Sequence, residues 1–423
     1  MTRTAYAWRP AAILVSLALT TGAARAVEPM YGPQTHDRTA SALAQYQAIA
    51  ARGGWSMLPS STRELRPGAT GAEVAALHQR LAVTGDIDAT LATSDQFNDA
   101  TIEGLRKFQA RHGLSLTGSV GTLTLRALNT PVDVRVKQLA ASLDRLKNSS
   151  FAFGARYVVV NIPGAAAEAV ENGQVAQAHT AVVGRPDRAS PVLEARITAV
   201  NLNPTWTAPT TIVKNDIIPK VAKDAGYLEK NHMRLIGAGG AEIDPKTIDW
   251  NNTSSVPFSV RQDAGPTNSL GQLRIDMPNA QAVYMHDTPK KDLFRSDVRF
   301  HSSGCARIQD VRDLAAWLLE GTGVDRIAIE TGIESAETKT IRLAHSVPVA
   351  WIYLTAWGSG DGAVQFREDI YKLDGAPKDP AASTLVARTK APGVDMMTTG
   401  SVPAKPKPAK ALVVGAANTE EPR

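Results

Sequence analysis

Two short stretches of this chain hold residues able to do covalent chemistry together. The first is Tyr284-Met285-His286-Asp287-Thr288-Pro289. The second is Phe300-His301-Ser302-Ser303-Gly304-Cys305-Ala306-Arg307-Ile308, whose thiol follows His286 by nineteen residues and is the only cysteine in the sequence. A thiol attacks a carbonyl as thiolate, and a neighbouring imidazole can take its proton and later return it to a leaving amine. A strand is expected before His286 and a helix after Cys305, so a connection of this length can bring the two side by side. Gly304 lets the backbone approach a substrate closely and leaves amides free to form an oxyanion hole. The helix expected from Asp310 starts too far along for its dipole to carry the argument, because that influence fades within a turn. His301, four residues before Cys305, is a rival imidazole, although on an extended approach the two side chains need not meet. Taken alone, a single cysteine is more often a small buried apolar residue, so its neighbours have to decide.

The elements that would position these residues follow from the rest of the chain. At 423 residues, with 43% hydrophobic and 21% charged side chains, it is long enough for several folded units and too ordinary in composition to be mostly disordered. Residues 1–26 read as an export signal: Arg3 and Arg9, an apolar run from Ala11 to Gly22, then Ala24-Arg25-Ala26 as a small-x-small cleavage site. An uncleaved anchor is the alternative, but the run is shorter than the roughly 20 residues a spanning helix needs. The formal charge of +5 is concentrated in the two ends, since residues 27–375 carry 36 basic and 37 acidic side chains. That balance excludes a nucleic-acid footprint on the folded part. With one cysteine no intrachain disulfide can form, and an exported fold of this kind must stand on its core.

Residues 27–64 are expected to be a short helical region. Within 65–130, Val74, Leu77 and Leu81, then Ile102, Leu105 and Phe108, then Leu125 and Leu128 recur three or four apart, which predicts three short helices in a small bundle. Residues 131–150 continue as a connector helix. From Arg156 the pattern changes to β-branched runs divided by Gly, Pro and Asn, predicting a mainly β domain over 151–375 with helical stretches at Ile212 to Ala225 and Asp310 to Leu319. Residues 376–423 hold seven of the 25 prolines and read as a disordered tail, either inert or touching anionic wall polymer or membrane.

The bundle resembles the peptidoglycan-binding domain of cell-wall enzymes through Leu65-Arg66-Pro67-Gly68, Gly71 to Leu77, Phe108-Gln109-Ala110-Arg111-His112-Gly113-Leu114 and Gly118 to Asn129. The region from about Arg156 to Leu373 resembles the L,D-transpeptidase catalytic domain, the YkuD domain, whose signature is an upstream histidine and a later Ser/Thr-x-Gly-Cys-x-Arg. Ser302, Gly304, Cys305 and Arg307 stand at those positions, with Ser303 where the commonest form has histidine. Ser-Ser-Gly-Cys is similar to the YcbB-like branch, as are Val183 to Arg188, Asn201 to Trp206, Gly265-Pro266 with Leu270-Gly271, and His286 to Pro289.

The resemblance implies a multidomain α+β protein: a mainly β catalytic domain with an inserted helical lid at about 205–256, behind a three-helix peptidoglycan-binding domain. It implies Cys305 as nucleophile and His286 as base, with Gly304 and Ser303 in the nucleophile loop, and a backbone carbonyl such as that of Asp287 orienting the histidine. Arg307 either binds a substrate carboxylate or ties down the loop. Trp206 and Asn203 stand at the lid entrance, where Trp206 serves substrate contact or packing. No metal or nucleotide cofactor is implied. The expected reaction is transfer from a peptidoglycan tetrapeptide stem to a second stem, a lipoprotein lysine or water, in the periplasm or cell envelope, with carbapenems as covalent inhibitors. A non-catalytic wall-binding scaffold is the alternative from another class.

Overall fold

The protein is described by a computed structural model over residues 27–251 and 256–375; the expected export signal and proline-rich tail lie outside these residues. Helix α1 (Thr35–Ala51) precedes the bundle of α2 (Ala72–Val83), α3 (Asp99–Arg111) and α4 (Thr122–Leu128), and α5 (Val132–Lys147) leads out of it. Residues 70–128 form the bundle because their apolar spacing puts Val74, Leu77, Leu81, Leu105, Phe108, Leu125 and Leu128 on inward stripes of one core. Asn98 starts α3 with a capping box: its side chain accepts from the Thr101 amide, and the Thr101 hydroxyl accepts from the Asn98 amide.

Fifteen strands follow among the described residues. The large sheet is built from β1 (Arg156–Asn161), β2 (Ala166–Glu171), β3 (Gln174–Gly184), β4 (Leu193–Leu202), β9 (Leu273–Asp276), β10 (Met285–His286), β11 (Phe300–Ser302), β12 (Ala306–Ile308) and β13 (Lys339–Ile352). Its order is β11-β3-β12-β10-β9-β4-β13-β1-β2, and β2 also pairs with β3, so hydrogen bonding runs round a closed circuit of strands. Closure leaves few free edges and makes one face inward. Val158, Ala169, Ala181, Val200, Ile275, Met285, Ala306 and Ile308 alternate onto that face, and helix α9 (Val311–Leu318) adds Val311, Leu314, Ala315 and Leu318 to the same core. A second helix, α10 (Arg326–Glu334), not anticipated from the sequence, contributes Ile329 and Ile333.

Between β4 and β9 lies the insertion. Strands β5 (Trp206–Thr207), β6 (Met233–Ile236), β7 (Glu242–Ile243) and β8 (Ser259–Gln262) make a separate sheet of order β5-β8-β6-β7. Short helical turns cover it, namely α6 (Thr210–Ile212), α7 (Ile218–Val221) and α8 (Tyr227–Lys230), with a π-helical turn at Val213–Ile217 between the first two. The insertion thus carries a sheet as well as helix, and β8 takes it past 256. Val213, Ile217, Val221, Leu228, Leu235 and Val260 give it a core of its own.

The bundle meets the chain that follows the large sheet through a buried arginine as well as apolar contact. Strands β14 (Ala356–Gly358) and β15 (Val364–Phe366) form a hairpin against α1 and α5, with Tyr46, Leu139 and Phe366 in the shared core. At the end of α3, Arg111 holds Asp86 through two hydrogen bonds of 2.6 Å and also donates to the Tyr46 hydroxyl on α1 and the Val364 carbonyl on β15. Both charges are removed from water, with side-chain exposures of 9% and 3%. His112 stacks on Phe108 at 3.9 Å and on Phe366 at 5.5 Å, closing the same seam. Among the described residues no helix is long and apolar enough to cross a membrane. Removing one partner from a buried pair strands the other charge. Asp86→Ala should therefore lower stability by about 3–5 kcal/mol in urea unfolding; a loss under about 1 kcal/mol, the usual worth of an exposed pair, would contradict this account of the seam.

Candidate active site

The position of the reactive residues is set by a two-residue parallel ladder. Met285 pairs with Ala306 and His286 with Arg307, and the Ala306 amide donates to the Tyr284 carbonyl at 3.1 Å. Met285 and Ala306 point into the core, so alternation sends Tyr284, His286, Cys305 and Arg307 outward onto one face. Tyr284 lies beside Cys305, and His286 lies diagonally across from it. On the next strand Arg274 pairs with His286, so it joins that face; its guanidinium sits 5.5 Å from the Tyr284 ring and donates to Asp276 at 2.7 Å. Asn201 donates to Asp276 in turn.

The imidazole is fixed in one tautomer. Its Nδ1–H donates to the Asp287 carbonyl at 2.5 Å, and the Leu270 carbonyl also acts on the ring; a carbonyl can only accept, so the neutral ring carries its proton on Nδ1 and keeps the lone pair on Nε2. The Asp287 carboxylate is buried and accepts from the Gln272 amide and from Lys291, so it holds the turn after β10 and does not face a substrate. Burial, then the Arg307 cation, push the His286 pKa down to about 3. Cys305 is partly exposed, but loss of hydration raises its pKa to about 11 against the pull of the Tyr284 backbone, the Arg307 cation and the Tyr284 hydroxyl. The resting pair is neutral thiol and neutral imidazole.

The loop before Cys305 is a tied turn that leaves two amides free. Gly304 stands at φ +118°, where an L side chain is strained. Buried Ser302 accepts from the Gly304 amide at 3.2 Å and donates to the Cys305 carbonyl at 2.5 Å, tying the turn. The amides of Ser303 and Cys305 have no acceptor among the described residues. The Arg307 side chain is likewise without a hydrogen bond or ion pair among the described residues, and its Nε is buried without a partner.

The other expected residues fall elsewhere. His301 is exposed, and its Nε2–H donates to the Val298 carbonyl at 2.9 Å, apart from the thiol's face. Asn203, expected at the substrate entrance, is buried, and its amide donates to the carbonyls of Gly332, Ile333 and Glu337 at the end of α10, so none of its donors is left for a ligand. Trp206 is 8% exposed in the core of the insertion, with its side chain near the Tyr284 hydroxyl. Ser303 is exposed and accepts from Arg188 at 3.1 Å. Sequence reasoning missed Tyr284 and Arg274, although spacing by two along a strand would have placed Tyr284 on the face of His286. Among the described residues, no three His, Cys, Asp or Glu side chains converge as a metal site.

Residues 155–329 match the YkuD family, described as "L,D-transpeptidase catalytic domain", and residues 70–128 match a family described as "Putative peptidoglycan binding domain". The chain carries a YkuD catalytic domain behind a peptidoglycan-binding domain. A Haemophilus influenzae protein named "Putative L,D-transpeptidase" is 32% identical over 218 residues, which is 51% of this chain and 44% of that protein. The chain therefore matches less than half the length of that relative. Crystal structures of L,D-transpeptidases from Stackebrandtia nassauensis and Xylanimonas cellulosilytica are 14% and 15% identical, with TM-scores of 0.27 and 0.23; they cover 69% and 68% of this chain and 96% and 97% of their own.

The neutral pair has a direct consequence for pH. Because the folded thiol titrates near 11 and the imidazole is already unprotonated above about 3, alkylation of Cys305 by iodoacetamide should keep rising with pH beyond 8.5. A rate that levels off below about pH 7 would mean a preformed thiolate–imidazolium pair and would contradict the assignment.

Proposed function

We propose that the chain is an exported L,D-transpeptidase that joins peptidoglycan stem peptides by 3→3 cross-links through a Cys305 thioester. The reading is carried by one observation: the β10–β12 register sets Cys305, His286 and an unpartnered Arg307 on the same outward face. The donor is a tetrapeptide stem whose third residue presents an L-centre carbonyl, diaminopimelate in the usual form. Sγ forms a bond to that carbonyl carbon while its proton passes to His286 Nε2. Charge builds on the carbonyl oxygen, for which the Ser303 and Cys305 amides are oriented donors. The carbon–nitrogen bond then breaks, and the imidazolium returns its proton to the departing amine of D-alanine. An acceptor amine attacks the thioester, its proton goes to His286, and the thiol is regenerated.

Arg307 is assigned to a substrate carboxylate, the planar anion that a guanidinium fork fits. Carboxylate binding there would neutralise the cation that helps hold His286 down, making the imidazole a better base once the site is filled. Trp206 acts through Tyr284 rather than by touching the peptide, and the bundle carries the wall-binding role. The same nucleophile opens the strained ring of a carbapenem, leaving an acyl adduct on Cys305. No nucleic-acid partner or metal is part of this reading.

Incubating the protein from Val27 onward with a disaccharide-tetrapeptide should give dimer and free D-alanine by mass. A tripeptide product alone would mean hydrolysis, and unchanged substrate would mean a binding scaffold. Cys305→Ala should lose at least about 10⁴-fold in rate, and His286→Ala about 10²- to 10⁴-fold; dimer formed at the parent rate by Cys305→Ala would end the proposal. Arg307→Ala is expected to raise KM for the donor about tenfold or more, the range seen when a charged hydrogen-bond partner is lost, and an unchanged KM would remove Arg307 from the substrate site.

A further inference from the structure

One arginine outside the reacting group touches both the nucleophile loop and the insertion. The segment between β3 and β4 braces three consecutive residues of that loop: the Arg185 amide donates to the Ser302 carbonyl at 3.1 Å, Arg188 Nη1 donates to the Ser303 hydroxyl at 3.1 Å, and the Ser190 hydroxyl donates to the Gly304 carbonyl at 2.7 Å. The turn is tight enough to need glycine at its start, since a Cβ on Gly184 would lie 2.4 Å from the Arg188 carbonyl and the Ser190 amide. The same Nη1 of Arg188 also pairs with Asp216. Asp216 sits in the π-helical turn of the insertion, whose Val213 and Ile217 are buried in the insertion's own core while Asp216 is half-buried and faces Arg188. Turns of this kind are rare and gather at functional sites. Arg188 is itself only 17% exposed in its side chain, so the contact is less screened than a surface pair.

Given that Cys305 is the acylated nucleophile, we infer that Arg188 is a positioning residue that couples the seating of the insertion to the geometry of the Ser303-Gly304-Cys305 backbone. With Asp216 in place, the guanidinium is held over Ser303 and steadies the peptide groups whose amides face the oxyanion. When the insertion lifts, the cation loses its carboxylate and the loop loses a brace. The planar fork suits this double contact, because one guanidinium can serve a carboxylate and a hydroxyl together, whereas a lysine ammonium is a single mobile charge. The insertion has its own core, so it can shift as a body and carry Asp216 with it.

The test compares the parent with Asp216→Asn, Arg188→Ala, Arg188→Lys and the Arg188→Ala/Asp216→Asn double variant. Three readouts are taken: acylation rate with the tetrapeptide donor or a carbapenem, hydrogen exchange over residues 206–236, and alkylation of Cys305 by iodoacetamide. Asp216→Asn and Arg188→Ala should each slow acylation roughly tenfold, and the double variant should be no slower than either single, the non-additivity expected of one shared contact. Both should speed exchange in the π-helical turn and raise alkylation roughly threefold, as the site opens. Arg188→Lys should restore slow exchange, since it keeps the ion pair, while acylation stays below the parent. Additive effects in the double variant, or exchange and alkylation equal to the parent in Asp216→Asn, would overturn the coupling. Asp216→Asn is nearly isosteric at a half-buried position, so it carries the test if Arg188→Ala does not fold. Exchange and alkylation need no peptide, so they decide the coupling even if the parent shows no turnover, which would instead count against the acyl-transfer reading.

Discussion

Everything at the candidate site depends on the hydrogen bond between the Ala306 amide and the Tyr284 carbonyl and on the parallel register it begins. A slip of one residue would turn Cys305 and Arg307 inward and bring Ala306 onto the face of His286. The register is held because Met285 and Ala306 are core residues with no exposed surface, filling the interior with Ile275, Ile308 and Ala181. Packing inside the circuit therefore decides which side chains meet outside it. The circuit is closed by β2 against β3, so neither β10 nor β12 can slide without breaking pairs on both sides.

Desolvation gives the site its chemical character. The same loss of water that raises the Cys305 pKa lowers that of His286, so the pair rests uncharged. The Arg307 cation acts in opposite senses on the two, favouring thiolate while opposing imidazolium. An uncharged thiol is a modest nucleophile and becomes strong only when a carbonyl and a proton acceptor are both in place. Such a site restrains reaction with solvent and reserves it for a bound acyl donor, with the Ser303 and Cys305 amides available to the charge that then develops.

Much of this architecture is legible in the residues. The helical spacing of Val74, Leu77 and Leu81 and the β-branched run from Tyr157 to Ile162 identify the two units, because such patterns are local information. The nineteen-residue spacing, Gly304 and Arg307 point to the chemistry for the same reason. Asn203 is less legible: a polar side chain three residues before a tryptophan reads as a site residue, but only the fold shows that the end of α10 needs its donors. Strand β2, Ala166–Glu171, is alanine- and glutamate-rich and lacks a β signal, and it is made a strand by pairing on both edges. Arg188 is invisible to spacing because its partners, Asp216 and Ser303, lie 28 and 115 residues away.

The claim on which the account rests is an uncharged imidazole, Nδ1-protonated and facing an uncharged thiol. Nitrogen NMR of the protein labelled at histidine reads this directly for His286. The account predicts the Nδ1–H tautomer from about pH 5 to pH 9, with shifts that change little when Cys305 is replaced by serine. An imidazolium signal at pH 7 that disappears in the Cys305→Ser protein would reveal a standing ion pair and contradict it.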